Sequence, residues 1–239
     1  MAPGGPDPEL VAARSMVVVP DLSAPAPDGR DTHHLVDVLR LRPDERVIAG
    51  DGAGAWVPCR LSSAGTLVVD GPVRHEPAPE PAVTVAFVPT KGDRPEWVVQ
   101  KLTELGVDRI VPLWSRRSVV RWRDERGERA VDRLRRVARE ASCQCRRVWL
   151  PEVTGVMGLA ELAELAGPSL GLAHPGGVRP TLERTVVAVG PEGGWDEAEQ
   201  RWAGPTIGLG PTVLRAETAA VVAGTLLCAL RGGVVGPLA

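Results

Sequence analysis

The amino-acid sequence predicts an α/β protein in which a small β-barrel is followed by a mostly parallel sheet. After residue 83, apolar β-prone runs alternate with helical segments, which is typical of a parallel sheet covered by helices. Before residue 73, the β-prone runs are short and separated by Gly and Asp turns, which favours a barrel. Residues 74–82, RHEPAPEPA, contain three prolines and predict a linker.

The predicted domains follow from these observations. Residues 1–15 are interpreted as a disordered extension rich in Pro and Gly, 16–73 as the barrel, 74–82 as the linker and 83–236 as the second domain. Predicted barrel strands cover residues 16–20, 46–50, 55–61 and 66–70, with one helix over 32–39. The segment GDGAG resembles part of a dinucleotide-binding fingerprint, but a strand follows it where that fingerprint needs a helix, so it is interpreted as a hairpin turn.

In the second domain, strands are predicted at 83–89, 109–114 and 148–151, and then in SLGLA, TVVAVG and TIGLG. The first helix has Asp93 as its expected N-cap, Glu96 three residues on as a capping-box partner, and Pro95 in the first turn. Trp97, Val98 and Leu102 share its expected packed face with Lys101 and Leu105. The last helix, residues 217–230, is apolar on nearly every side and predicts burial against a core or a second subunit.

Composition places the chain among globular proteins, because 44% of its residues are hydrophobic. It contains no run of 18 apolar residues, and Asp7 and Glu9 stand where a signal peptide would be basic and then apolar, so a cytoplasmic location is expected. The spacing of the four cysteines matches neither a paired zinc motif nor a disulfide framework. We therefore expect reduced thiols and no metal at Cys59, Cys143, Cys145 and Cys228.

Charge is distributed unevenly along the chain. Residues 91–147 hold 16 Lys plus Arg and nine Asp plus Glu, a local net charge of +7, whereas the remainder has 12 basic and 21 acidic residues, a net charge of −9. Such segregation would attract an RNA phosphate backbone. An Arg-rich solvated helix face explains the same pattern equally well.

Two glycine-rich segments each follow a predicted strand and precede a helix. VVAVGPEGGW, residues 186–195, predicts a ligand loop, because ligands bind beyond the carboxyl ends of strands in open α/β sheets. A tight turn with no ligand remains the alternative. In IGLGPTVLRAETA, residues 207–219, Glu217 and Thr218 complement a helix N-terminus, but Arg215 does not and is better explained by an anionic partner.

Four motifs in this order resemble the 16S rRNA uridine-N3 methyltransferase family of the SPOUT superfamily. They are KGDRPEWVVQKLTELGVDRIVPLWSRRSVV, REASCQCRRVWLPEV, GPEGGW and LGPTVLRAETAA. THHLVDVLRLRPDERVIAGDG, residues 32–52, is similar to the PUA-like RNA-binding domain of that family. The resemblance extends from about residue 14 to residue 232.

The resemblance implies a SPOUT domain with a trefoil knot, a rare exception among folds, and a pocket for S-adenosylmethionine. It also implies a homodimer whose sites are completed by the partner. The residues it assigns to the cofactor are Leu172, His174, Gly190, Pro191, Glu192, Gly193, Gly194, Leu209, Gly210, Val213 and Leu214.

Methylation of uracil at N3 requires loss of the imide proton and stabilisation of the resulting negative charge. Arg215 is the first candidate for that stabilisation, with Arg94 and Arg117 as further candidates, because a guanidinium can address the uracil oxygens or an adjacent phosphate. Glu104 and Glu217 are the candidate bases, and either could instead be an ion-pair partner.

For capture of 16S rRNA, which we expect within the small ribosomal subunit, the candidates are basic residues: His33, His34, Arg40, Arg60, Lys91, Arg94, Arg116, Arg117, Arg121 and Arg146. Trp114 and Trp122 are the candidate stacking partners for an extruded base. Two alternatives remain open: a SPOUT methyltransferase acting on another RNA base, and a non-catalytic RNA-binding assembly factor.

Overall fold

A computed structural model describes residues 7–120, 122, 124–202 and 204–236. The described chain divides into two compact units. The N-terminal unit contains residues 7–78 and 139–150, and the C-terminal unit contains residues 79–138 and 151–236. The division after Ala78 falls inside the segment predicted as a linker, and the N-terminal unit also takes twelve residues that the sequence assigned to the second domain.

The N-terminal unit consists of two short helices and a five-stranded sheet. Its elements are α1 (Pro8–Ala12), β1 (Ser15–Val18), α2 (Gly29–His33), β2 (Arg46–Gly50), β3 (Ala55–Leu61), β4 (Leu67–Val69) and β5 (Arg74–His75). β1 runs parallel to β2, whereas the β2–β3, β3–β4 and β3–β5 pairs are antiparallel. Val47, Val57 and Leu35 are fully buried in its core. The predicted GDGAG turn joins β2 to β3, and Asp51 accepts hydrogen bonds from the amides of Ala53 and Ala55 inside it.

Two predictions for this unit need correction. Residues 1–6 of the predicted disordered extension lie outside the described residues, but residues 8–12 form α1, because Leu10 and Ala13 are buried beside Trp56. The predicted helix over 32–39 begins earlier, at α2, and continues as a π-helical turn over His34–Val38. Its start is set by Asp28, whose carboxylate accepts hydrogen bonds from two main-chain amides.

The second part of the N-terminal unit, residues 139–150, is held by packing and by an ion pair. Val148 and Trp149 belong to the apolar cluster that contains Trp56. Arg139 donates from Nη1 and Nη2 to the two carboxylate oxygens of Asp31, at 3.2 and 2.6 Å. Sequence order alone does not reveal these contacts, because the partners are about a hundred residues apart.

The C-terminal unit is built on a parallel sheet. Its strands are β6 (Thr84–Phe87), β7 (Arg109–Trp114), β8 (Glu152–Val153), β9 (Met157–Gly158), β10 (Leu170–Val178), β11 (Val186–Val189) and β12 (Thr206–Ile207). Its helices are α3 (Arg94–Leu105), α4 (Asp124–Cys145), α5 (Leu159–Ala166), α6 (Glu197–Gln200) and α7 (Ala216–Arg231). The last residues of α4, from Arg139, are grouped with the N-terminal unit. The strand order is β12–β10–β11–β6–β7–β8, with β9 beside β7, and every pairing is parallel.

This strand order brings distant parts of the chain together. β11 lies between β10 and β6, and β12 lies at the far edge beside β10. From that edge the chain returns to the middle of the unit, where α7 contacts α3 and β6. The small residues Ala220 and Gly224 allow this approach: a Cβ atom on Gly224 would lie 2.7 Å from Leu102. The mostly parallel sheet predicted from the alternating pattern is therefore present.

Three details of the prediction for this unit are wrong. Residues 148–151 form no strand, and the sheet continues instead at β8. Asp93 is the N-cap of α3, but among the described residues the predicted capping box does not form: the Asp93 side chain makes no capping bond, and Glu96 lies 2.9 Å from Arg133 of α4. Trp97 does not share the buried face with Val98, because 44% of its surface is exposed. None of the helices in the described ranges is long and apolar enough to cross a membrane.

Candidate functional site

A cavity of about 340 Å³ lies between residues 173–175 of β10 and the loops that follow β11 and β12 in the C-terminal unit. β10 pairs in parallel with both β11 and β12, so the carboxyl ends of these strands lie along the same edge of the sheet. That edge is where open α/β sheets bind ligands. The lining residues are Arg117, Ala173, His174, Pro175, Val189, Gly190, Pro191, Glu192, Gly194, Trp195, Gln200, Leu209, Gly210, Thr212, Val213, Leu214, Ala216 and Ala219.

The loop after β11 forms one wall of this cavity. The amide of Gly194 donates to the carbonyl of Pro191 at 2.8 Å, and Gly194 has φ of +71°, a conformation that favours glycine. Trp195 packs against Gly190 so closely that a Cβ atom on Gly190 would lie 2.8 Å from the indole Cε2. The Nε1 atom of Trp195 is buried with no hydrogen-bond partner in the described part of the chain. The cavity wall thus carries an unused hydrogen-bond donor.

The loop after β12 leads into α7 and forms the opposite wall. Leu209, Leu214 and Ala216 supply apolar lining. Arg215 is the N-cap residue of α7, makes no side-chain capping bond and is exposed between the two lining residues Leu214 and Ala216. The first-choice candidate for charge stabilisation therefore lies next to the cavity in the chain.

β10 itself contributes His174 to the cavity lining. Its Nδ1 atom lies 2.7 Å from the carbonyl oxygen of Pro175, which can only accept, so Nδ1 carries a hydrogen and a neutral ring presents Nε2 as an acceptor. Leu172 is buried in the sheet core with 2% of its surface exposed, and it does not line the cavity. Among the predicted cofactor residues, Leu172 and Gly193 are the two outside the lining.

Arg94 connects two of the carboxylates at this end of the unit. Its Nη1 atom lies 3.5 Å from Oε1 of Glu217 in the first turn of α7 and 3.9 Å from Oε1 of Glu192 in the loop after β11. The other oxygen of Glu217 is buried without a hydrogen-bond partner among the described residues. Glu104 does not line the cavity, because it lies near the other end of α3 and both its oxygens accept from Lys101.

Arg117, predicted for RNA capture and as a further candidate for charge stabilisation, lies at the candidate site. It lines the cavity, and its Nη1 atom donates to the carbonyl of Gly193 at 3.0 Å. The cofactor residues assigned from the resemblance omit Trp195, Gln200 and Thr212, which also line the cavity. Trp195 and Thr212 lie within the two glycine-rich motifs, which is the signal that could have found them, and Gln200 follows the first motif.

The remaining basic candidates divide between the two units. In the N-terminal unit, His33 pairs with Asp37 at 2.7 Å and Arg60 pairs with Asp70 at 2.7 Å. His34 and Arg40 are exposed, and Arg40 has φ of +51°.

Arg146 also belongs to the N-terminal unit and has φ of +58°. In the C-terminal unit, Lys91 is exposed and Arg116 lies 3.8 Å from Asp196. Arg121 lies outside the described residues.

Trp114 and Trp122 line a second cleft of about 870 Å³ beside the start of α4. Three carboxylates share this cleft, those of Asp124, Glu128 and Asp132. The two tryptophans are therefore neighbours, as a stacking site would need, but their surroundings are acidic.

The comparisons with known proteins agree with this geometry. Residues 77–228 match the family described as an RNA methyltransferase domain, and residues 27–69 match the RNA methyltransferase PUA domain. The chain is 33% identical over 226 residues to the Ribosomal RNA small subunit methyltransferase E of Mycobacterium bovis, covering 86% of each chain. The chain belongs to this RNA methyltransferase family.

Two solved structures are similar to the chain over nearly its whole length. One is a Ribosomal RNA small subunit methyltransferase E from Neisseria gonorrhoeae bound to S-adenosyl methionine, with a TM-score of 0.73, 27% identity and coverage of 88% of this chain and 94% of that one. The other is a putative methyltransferase from Legionella pneumophila with bound SAM, with a TM-score of 0.75, 26% identity and coverage of 90% and 96%. These matches confirm the predicted family and fold class, a SPOUT α/β domain with an N-terminal PUA-like domain.

Proposed function

We propose that this chain uses S-adenosylmethionine to methylate N3 of a specific uridine in the 16S rRNA of the small ribosomal subunit. The observation that carries the proposal is the cavity between β10 and the loops after β11 and β12. The names of the related proteins from M. bovis and N. gonorrhoeae support the choice of small-subunit ribosomal RNA as substrate.

The residues around the cavity fit a nucleoside cofactor. Val189, Leu209 and Leu214 offer apolar surface for a flat adenine ring, and the glycines let main-chain amides approach a ligand closely. The buried Nε1 of Trp195 offers an unused donor. When bound, S-adenosylmethionine supplies its methyl group as an electrophile attached to a sulfonium.

The chain's own residues must then make uracil N3 reactive. The imide nitrogen attacks only after its proton has left, and the negative charge then spreads over O2, N3 and O4. Arg215 is our candidate for stabilising that charge, since it is an exposed residue between the lining residues Leu214 and Ala216 and its side chain makes no capping bond to α7. The fixed planar geometry of the guanidinium suits two neighbouring oxygens.

Of the two candidate bases, we favour Glu217 over Glu104. Glu217 follows the lining residue Ala216 and keeps one buried carboxylate oxygen without a partner, which can accept the N3 proton. Arg94 holds the other oxygen at 3.5 Å and so orients the carboxylate. Both oxygens of Glu104 are occupied by Lys101 within α3.

The first experiment incubates the purified protein and methyl-labelled S-adenosylmethionine with small ribosomal subunits that lack the modification. Mass spectrometry of digested RNA should locate the label at N3 of one uridine. Arg215→Ala should lower methyl transfer about 100-fold or more, as for removal of a group that stabilises developing charge. Arg201→Ala is the matched control, because Arg201 is exposed in the same unit and does not line the cavity.

Other outcomes identify the alternatives. Label on a different base would support the proposed cofactor site but would identify another RNA base as the substrate. Cofactor binding without label on naked 16S rRNA, on immature subunits or on mature subunits would contradict catalysis and favour a non-catalytic assembly factor.

We also propose that the chain acts in the cytoplasm as a homodimer formed through the outer face of α7. Val222, Leu226 and Ala229 recur at helical spacing on that face and are only partly buried. Sedimentation equilibrium should give about twice the chain mass for the wild type. Leu226→Glu should shift the mass to that of a single chain, whereas a wild-type mass equal to one chain would contradict the dimer.

A further inference from the structure

We propose that Glu199 is a positioning residue that holds the segment Ser115–Ser118 against the cavity wall, so that the guanidinium of Arg117 lines the cavity. Glu199 lies in α6 and does not itself line the cavity. The inference rests on the proposed methyl-transfer function where it predicts an effect on kcat/KM. The hydrogen bonds made by Glu199 can be tested separately, because their measurement does not require activity.

The carboxylate of Glu199 is buried, with 8% of the residue exposed, and it accepts three hydrogen bonds. Oε1 accepts from the amide of Arg116 at 2.9 Å. Oε2 accepts from Oγ of Ser115 at 3.0 Å and from the amide of Asp196 at 2.9 Å. Two of these donors lie more than 80 residues earlier in the chain. One side chain thus joins the loop after β7 to the segment after the GPEGG loop.

Arg117 is the residue on which this connection acts. It follows directly after the two residues that Glu199 holds, and its own amide lies 3.4 Å from Oγ of Ser115. The amide of Ser115 in turn donates to Oγ of Ser118 at 2.9 Å, which closes the segment into a turn. From this turn the Arg117 side chain reaches the carbonyl of Gly193 and lines the cavity.

The chemistry requires a carboxylate at position 199. A glutamine at this position would place its NH₂ group against the amide of Arg116 or against that of Asp196, depending on the orientation of the side chain. Neither main-chain amide can reverse its role, so one buried donor would lose its acceptor. Ser115 could rotate its hydroxyl, but it could not compensate for that loss. Glu199→Gln therefore weakens the connection without changing the side-chain volume.

The first measurement is amide hydrogen exchange in the full chain, with no substrate present. In Glu199→Gln, the amide of Arg116 or that of Asp196, whichever loses its acceptor, should exchange about tenfold faster or more, whereas amides in β6 should be unchanged. Glu197→Gln is the matched control, because Glu197 lies in the same short helix and is exposed. Unchanged exchange at both amides in Glu199→Gln would overturn the proposal.

The second measurement is a double-mutant cycle with methyl transfer as the readout. Glu199→Gln should lower kcat/KM for the RNA about tenfold, and Arg117→Ala should lower it at least as much. If Glu199 acts through Arg117, adding Glu199→Gln to Arg117→Ala should change kcat/KM less than twofold. If the losses of kcat/KM in the two single variants multiply in the double variant, Glu199 acts independently of Arg117 and the proposal is overturned.

A milder variant guards against misfolding. Ser115→Ala removes one of the three hydrogen bonds to Glu199 together with the contact to the Arg117 amide, and it leaves both main-chain bonds intact. It should give a smaller loss of kcat/KM that again disappears in the Arg117→Ala background. If Ser115→Ala lowers kcat/KM as much in the Arg117→Ala background as in the wild type, the inference is contradicted. If the wild type transfers no methyl group, the proposed function fails, and the exchange experiment still decides the role of Glu199.

Discussion

The guanidinium of Arg94 lies 3.5 Å from a carboxylate oxygen of Glu217 and thereby connects the start of α3 to the start of α7. Glu217 is the more buried partner, with 12% of its side chain exposed compared with 44% for Arg94. The two helices also contact each other along their length. The ion pair therefore orients the carboxylate that we propose as the base relative to α3.

Breaking this pair should reduce the stability of the fold. Arg94→Ala leaves the buried Glu217 carboxylate without its cation, and we expect a loss of about 1 kcal/mol in the free energy of unfolding, modest because Arg94 is half exposed. Urea unfolding of Arg94→Ala, Glu217→Gln and the double variant should show non-additive losses. Arg109→Ala, which breaks an exposed pair with Glu152, is the control and should cost less than about 0.5 kcal/mol. Strictly additive losses would show that Arg94 and Glu217 are not coupled.

Adding a methyl group at Gly190 should damage the cavity. In Gly190→Ala the new Cβ would lie 2.8 Å from Trp195, so the indole must shift within a packed wall. We expect at least a tenfold weaker affinity for S-adenosylmethionine by calorimetry and a loss of about 1–3 kcal/mol in stability. Gly29→Ala meets no atom within 4 Å and should leave the affinity unchanged. Wild-type affinity in Gly190→Ala would mean that Trp195 does not shape the site.

Removing the cap of α2 should destabilise the chain in a pH-dependent way. The amide of Asp31, and to a smaller extent that of Arg30, lowers the pKa of Asp28 below its usual value. The contribution of a carboxylate with a lowered pKa is complete above its unfolded-state pKa, about 4, and is lost as the pH falls through the folded-state value. Asp28→Ala should therefore cost about 1 kcal/mol at pH 7 and less below about pH 4.

Asp28→Asn provides the control for this prediction, because asparagine can cap the helix without titrating. Its difference from Asp28→Ala should stay constant with pH. Urea unfolding between pH 3 and pH 7 measures all three proteins. A loss in Asp28→Ala that grows as the pH falls would contradict the assigned direction of the pKa shift.

Two thiols should resist alkylation in the folded protein. Burial raises the pKa of Cys59 and that of Cys143, each to about 11, so both are protonated at pH 8. Peptide mapping after iodoacetamide treatment should show little modification of either residue in native buffer and rapid modification in urea. Because the protonated thiol is favoured in the folded state, stability should fall as the pH rises from about 9 towards 11. Labelling of Cys143 at equal rates in buffer and urea would contradict its burial.

Local sequence was sufficient to predict an element where a motif lies directly after a strand or before a helix that the sequence also predicts. GPEGGW follows the apolar run that becomes β11, so its position alone predicted a ligand loop, whereas the cofactor role of LGPTVLR before α7 was implied by the family resemblance. Residues 148–151 were predicted as a strand because an apolar run resembles one. In the structure, Val148 and Trp149 pack instead against Trp56 in the N-terminal unit.

The sequence by itself determined the class of the protein, the alternation that builds a parallel sheet, and the glycine loops that border the candidate site. These properties depend on residues that are neighbours in the chain. Only the tertiary structure decided that Glu217 pairs with Arg94 whereas Glu104 pairs with Lys101, that Arg117 reaches Gly193, and that Glu199 accepts hydrogen bonds from the turn containing Arg117. The physical reason is that hydrogen bonds and ion pairs form between side chains brought together by strand order, and strand order in this sheet differs from chain order.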